Sequence, residues 1–263
     1  MRRFLLNIFA FFTFCIASAA GRSTWRPLAL RGGSWSPPPE AVDLETTLVA
    51  IRYDQGVVVA ADSRTSVSGY VSNRYAHKIA PVTSHCLVLR SGSAADTQNM
   101  AEECKQFFLQ RSYHYGIQPT VSQIAHWMRQ AVWQRPQGQV SLLVAGYDPT
   151  TQTPSLYSIA ISGALHEEEA FAAAGSGSVF VLGYLDQELS ENRVLSESEA
   201  INLCRQAISL AANRDGSSGG LVRISVIDAK GVRNLPPVPV VAATNDNLSS
   251  ANLPGFTASS SDA

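Results

Sequence analysis

The sequence predicts a layered α+β fold, on three observations. Strand-like runs come in groups, helical stripes stand between those groups, and the composition is that of a chain with a core to bury: 45% hydrophobic and 16% charged over 263 residues. Helices set apart from runs of strands argue against a doubly wound parallel sheet, where every crossover brings a helix. That composition also excludes disorder as the main state. With 20 basic side chains against 21 acidic ones, the formal net charge is −1. A general electrostatic footprint for nucleic acid is therefore excluded, and recognition has to be local.

Taken in order, residues 1–45 read as a detachable segment. Arg2 and Arg3 precede an apolar run from Phe4 to Ala20, which closes on Ala17-Ser18-Ala19 in the manner of a secretory signal peptide. The run is short for a membrane span and contains Asn7 and Thr13; Pro27, Gly32, Gly33 and Pro37 to Pro39 then form a linker. The body of the chain follows, over residues 46–232. It opens with a β-hairpin, Thr47 to Tyr53, a turn at Asp54-Gln55-Gly56, and Val57 to Ala61. Further strands are expected at Cys86 to Leu89, Val140 to Tyr147, Ser155 to Ile161, Ala170 to Ala174 and Leu221 to Ile227. Three helices interrupt them. The first opens at Ser93-Ala94-Ala95-Asp96, a capping spacing, and carries Met100, Cys104, Phe107 and Phe108 along one face. The second, from about Val121 to Gln134, uses Ile124, Met128 and Val132. The third opens with Ser196-Glu197-Ser198-Glu199 and puts Ala200, Leu203, Cys204, Ala207, Ile208 and Ala211 on one side before Asp215-Gly216 stops it. Residues 233–263, with Pro236, Pro237, Pro239 and Pro254 and a Ser-Ser-Ser-Asp-Ala end, read as an extended tail.

Familiar catalytic patterns are absent. Four scattered cysteines (Cys15, Cys86, Cys104, Cys204) give neither a disulfide framework nor a C-x-x-C pair, and read as buried thiols. Five histidines (His77, His85, His114, His126, His166) lack metal-ligand spacing, so no metal is expected. There is no nucleophile elbow or phosphate loop, and Gly175-Ser176-Gly177 is too short for a dinucleotide fingerprint. What remains is a set of polar residues at strand ends: Thr46-Thr47, Asp62-Ser63-Arg64, Lys78, Arg90 to Ser93, and Asp215 to Gly220. Composition alone reads these as turns, caps and an ordinary surface ion pair.

Those same strings carry a resemblance. Thr46-Thr47-Leu48, Gly56 to Thr65, Asn73-Arg74, Lys78, Ser91 to Asp96, Gly175 to Ser178 and Arg214 to Gly220 resemble, in order and spacing, a proteasome beta-type subunit of the N-terminal nucleophile hydrolases. Arg90 before Ser91-Gly92, with Ala94-Ala95-Asp96-Thr97-Gln98, is most similar to the caspase-like subunit, which cleaves after acidic residues. The resemblance implies a four-layer αββα sandwich of two antiparallel sheets flanked by helices. It implies a threonine endopeptidase in which Thr46, freed at its amine by cleavage of the chain, is the nucleophile. Lys78, held by Asp62, would supply a base and a local positive charge. Asp215 and Ser218 would orient the threonine, Ser176 would support them, and the Gly92 N–H would hold the oxyanion. Arg90 would line the pocket for an acidic side chain.

The resemblance implies no cofactor. It implies beta-type neighbours in a seven-membered ring, alpha-type subunits in the adjoining ring, unfolded polypeptide as substrate, no nucleic acid and no membrane, and a place in cytoplasm and nucleus. The signal-like start points instead to secretion, for which Asn247-Leu248-Ser249 would be a glycan acceptor. One position departs from the pattern. Catalytic members carry glycine before the nucleophile and this chain has Glu45, a residue that reaches the angles of a tight turn less readily. The alternative reading is therefore an unprocessed, non-catalytic structural subunit.

Overall fold

Residues 46–67, 70–135, 139–189 and 194–240 are described by the computed structural model. The segment 1–45, Glu45 included, and the tail from residue 241, with Asn247, lie outside the described residues. The expected hairpin is strand β1 (Leu48–Tyr53) paired antiparallel with β2 (Gly56–Ala61). Every residue of β2 is buried, because this hairpin is covered on both faces. That is why its sequence is a continuous apolar run and not an alternation.

The other strands are β3 (Thr65–Val67), β4 (Tyr70–Asn73), β5 (Ile79–Thr83), β6 (Cys86–Gly92), β7 (Val140–Asp148), β8 (Thr153–Ile159), β9 (Leu165–Glu167), β10 (Phe171–Ala174), β11 (Leu221–Asp228), β12 (Gly231–Asn234) and β13 (Val238–Pro239). One sheet runs β10-β1-β2-β11-β12 with β13 on β11; the second runs β5-β6-β7-β8-β9; β3 and β4 form a separate ribbon. All pairings are antiparallel. The helices are α1 (Ala94–Tyr115), α2 (Val121–Trp133), α3 (Leu182–Glu188) and α4 (Glu197–Arg214), with a 3-10 helix over Ser176–Phe180.

Three hydrophobic interfaces make four layers. Leu48, Ala50, Val57 and Val59 of the first sheet meet Leu87, Leu89, Leu143 and Leu156 of the second. Val49, Ile51, Val58 and Ala60 on the opposite face of the same hairpin meet α4 at Ala200, Cys204, Ala207 and Ala211. Val88, Leu142 and Val144 meet Met100, Cys104 and Phe108 of α1 and Ile124 and Met128 of α2. The fold is the αββα sandwich of two antiparallel sheets.

The caps form as the sequence indicates. Ser93 accepts from Asp96 N–H at 3.4 Å, and Thr120 and Ser196 each close a full capping box. Differences are local. Phe107 is 44% exposed, because the buried arc of α1 runs through Thr97, Met100, Ala101, Cys104 and Phe108 and leaves it on the margin. Its ring leans on Phe108 and Trp127 instead. β5 escapes the sequence reading because Pro81 interrupts it, and a proline is tolerated there since β5 is an edge strand. β6 extends past Leu89 to Gly92, so Arg90 and Ser91 are strand residues. β8 begins and ends earlier than expected, with Ile161 in an exposed turn. The chain also continues into the sheet beyond Val232, through β12 and β13; Leu235, Val238 and Val240 pack on the outer core, and Val240 N–H donates to Gly220 O at 3.0 Å.

Candidate functional site

The head of β1 and the foot of β2 lie side by side, and this brings Thr46 and Thr47 to Asp62. Asp62 is completely buried. Its Oδ1 accepts from Lys78 Nζ at 2.7 Å and from Thr47 N–H at 3.0 Å; its Oδ2 accepts from Arg64 N–H and Gly219 N–H, each at 3.0 Å. A buried carboxylate is tolerable when its acceptor positions are filled in this way. Lys78, just before β5, is 6% exposed, so the expected surface pair is an interior one. Burial pulls the Lys78 pKa below the ordinary lysine value, while Asp62 works in the opposite direction. The lysine is thus held by a hydrogen bond and kept closer to its neutral form than a solvated one.

A second carboxylate gathers the hydroxyls. α4 ends at Arg214, and Asp215, its C-cap, begins a turn over residues 215–220. Asp215 Oδ2 accepts from Ser176 Oγ at 2.9 Å and from Ser218 Oγ at 2.6 Å. The second distance is that of a charge-assisted O–H···O⁻ bond. Because Ser218 spends its proton on Asp215, the 2.7 Å contact between Ser218 Oγ and Thr47 Oγ1 is donated by Thr47. Thr46 N–H donates to Ser176 Oγ at 3.2 Å. Two relays therefore converge on one oxygen: Thr46 through Ser176, and Thr47 through Ser218.

Glycine is required at the points of closest approach. Gly175 has φ +88°, and a Cβ on it would stand 2.0 Å from Thr46 O and 3.1 Å from Ser91 Oγ. A Cβ on Gly177 would stand 1.9 Å from Thr47 Oγ1. Both contacts are far inside van der Waals distance, so the 3-10 turn reaches the threonines only without side chains.

Arg90 and Gly92 lie on β6, the strand that carries Ser91 to Gly175. The Arg90 guanidinium donates from Nη2 to His77 O at 2.5 Å and from Nη1 to Thr97 Oγ1 at 3.4 Å; Nε is buried with no partner among the described residues. Burial lowers its pKa. A half-buried cation with one N–H unmet is stabilised when an anion joins it. Gly92 has φ +100°, and a Cβ there would stand 1.7 Å from Gln139 O.

Six sequence-singled residues, Thr46, Asp62, Lys78, Ser176, Asp215 and Ser218, thus belong to one hydrogen-bonded network, which runs through Thr47. Ser93 is outside it, as the cap of α1. Thr47, Gly177 and Gly219 received no role from the sequence. Their signal was adjacency alone, a second threonine and glycines beside named residues. Among the described residues, no group of three or more His, Cys, Asp or Glu could hold a metal ion.

Two antiparallel sheets faced by helices, with a threonine at the head of the first strand, define the N-terminal nucleophile type of sandwich. The sequence profile described as proteasome subunit matches residues 42–227. The chain is 37% identical over 192 residues to the probable proteasome subunit beta type-1 of Schizosaccharomyces pombe, covering 73% of this chain and 83% of that protein. It is 38% identical over 188 residues to the probable beta type-1 subunit of Encephalitozoon cuniculi, covering 72% and 90%. Against the proteasome subunit beta type-6 of Arabidopsis thaliana it is 37% identical over 209 residues, covering 79% and 88%. The chain belongs to the proteasome subunit family, as a beta-type subunit, and so to the machinery of protein degradation.

Proposed function

We propose that the chain is a threonine endopeptidase subunit of the proteasome core that cleaves unfolded polypeptide after acidic residues, with Thr46 as its N-terminal nucleophile. The observation that carries this reading is the buried Lys78–Asp62 pair, joined at 2.7 Å and tied to the residue next to Thr46. A threonine hydroxyl needs a base to become nucleophilic near neutral pH. Cleavage before Thr46 frees its amine beside Ser176 and Asp215. The Thr46 hydroxyl then attacks the substrate carbonyl and its proton passes to Lys78, whose burial favours the neutral form able to take it. The oxyanion is held by the Gly92 N–H. As the peptide C–N bond breaks, the leaving nitrogen takes a proton from the Thr46 ammonium; water then attacks the acyl carbon and gives a proton to the Thr46 amine, and Thr46 Oγ leaves with the proton held by Lys78. Arg90, with an N–H to spare and no carboxylate bonded to it among the described residues, pairs with the acidic side chain before the cut.

In this reading the partners are the other beta-type subunits of a seven-membered ring and alpha-type subunits of the next ring, in cytoplasm and nucleus. The test is the intact mass and N-terminal sequence of the chain from assembled proteasomes, with Thr46→Ala beside it. A start at Thr46 and loss of post-acidic cleavage in the variant are expected. Unchanged cleavage in particles whose only such subunit is this one would refute the assignment.

Glu45 favours a second reading. If the chain is recovered with an upstream start, Thr46 remains an amide, and the subunit serves the ring as a structural member.

A further inference from the structure

Three of the six residues in the turn 215–220 are glycines, Gly216, Gly219 and Gly220, with φ of +153° and +81° at the last two. Such a segment loses much conformational entropy when it is ordered. Yet Asp215 and Ser218, both in it, must hold their places to tenths of an ångström for the relays to close. Something outside the turn has to keep it there.

Gly219 N–H on Asp62 and Val240 N–H on Gly220 O hold the far end of the turn, and Arg64 adds the contacts that span it. The Arg64 N–H is shared between Asp62 Oδ2 and Gly219 O, each at 3.0 Å, and Ser63 N–H also donates to Gly219 O at 3.1 Å. Its side chain crosses the turn: Nη1 donates to Gly216 O at 2.9 Å. The guanidinium also lies against Gly219, where a Cβ would stand 2.7 Å from Cζ and Nη2. A planar fork can lie on a glycine and bond a carbonyl three residues earlier at once; a point-like ammonium cannot do both.

We infer that Arg64 is a positioning residue for the proposed peptidase, clamping the turn 215–220 against Asp62 so that Asp215 and Ser218 stay aligned on Thr46 and Thr47. This rests on the catalytic reading of Thr46. The charges facing Lys78 are Asp62, Asp215 and Arg64; the two carboxylates favour its protonated form, and Arg64 opposes them. Arg64 therefore acts on the geometry of both relays, which end in the turn, and on the charge balance at Lys78.

The experiment uses assembled core particles in which this subunit alone cleaves after acidic residues, carrying Arg64→Met or Arg64→Lys. Arg64→Met is expected to lower kcat roughly 10²-fold, since small misplacements of catalytic groups are costly, while KM for a Glu substrate stays within about twofold. The pH limb set by Lys78 moves to higher pH in Arg64→Met, because a positive charge that disfavoured protonation has gone, and stays in place in Arg64→Lys. Arg64→Lys keeps the charge but loses the fork, so its kcat also falls. Amide hydrogen exchange over residues 215–220 rises in both. Wild-type kcat with wild-type protection in Arg64→Met would overturn the inference, as would a loss of kcat with protection and pH limb unmoved. If Arg64→Met does not enter particles, Arg64→Lys decides by kcat and exchange. Failure of the catalytic reading itself looks different: Thr46→Ala then matches wild type, and exchange over 215–220 alone decides whether Arg64 is the clamp.

Discussion

At the threonine end of the site both carboxylates are filled: Asp62 accepts on each oxygen from two donors, and Asp215 takes two hydroxyls on Oδ2 and Ser217 N–H on Oδ1. At the other end Arg90 is half-buried, held by a carbonyl and a threonine hydroxyl, and keeps a buried Nε–H without a partner among the described residues. The first region has its hydrogen bonds made; the second has unused capacity. In the proposed peptidase, a site divided in this way would spend its rigidity on the reacting atoms and leave Arg90 to choose the substrate.

The comparison can be broken at either end. The largest effect is expected from Thr46→Ala, which should cut post-acidic cleavage by at least about 10³-fold while the subunit still enters particles, measured by fluorogenic peptide turnover. Lys78→Ala should follow, with kcat down roughly 10²–10⁴-fold. In the wild type, activity should rise with pH as Lys78 loses its proton, on a limb below the ordinary lysine value, because burial lowers that pKa; a limb at or above that value would remove Lys78 as the base. Arg90→Ala tests the open end: the ratio of kcat/KM for Glu over Leu should fall about tenfold to a hundredfold, the worth of a charge-assisted bond, with the Leu substrate little changed. Equal losses on both substrates would mean that the two ends are not separate. Glu45→Gly should raise the mature fraction seen by intact mass, and complete maturation with Glu45 present would show that this residue is no obstacle. The smallest effect concerns neither end. Cys104, pushed up to about 12 by burial, should react slowly with thiol reagents until the subunit unfolds.

The fold was legible wherever a local period carries it. The i, i+4 stripe of Met100, Cys104 and Phe108 and the small residues of α4 sit where the sequence puts them, since one face of a helix is set by 3.6 residues per turn. β5 was hidden by Pro81, and β13 by its prolines and its length of two residues; both were strands only because a neighbour offered an edge to pair with. A pairing partner is not a local property, so no reading of those residues alone could find them.

The site divides along the same line. Motif order across Thr46, Asp62, Lys78 and Asp215 was enough to name the family and the candidate residues. The sequence could not tell that Lys78 and Asp62 form a buried pair and not a surface one. Burial depends on what the second sheet and the turn 215–220 place over them. Nor could it reveal that Gly219, 157 residues from Asp62, completes that carboxylate's shell, or that Thr47, 171 residues from Ser218, links the Lys78–Asp62 pair to the Asp215 relays. Residue types and their order are written along the chain, whereas hydrogen bonds between distant segments exist only once packing has excluded water and fixed the distances.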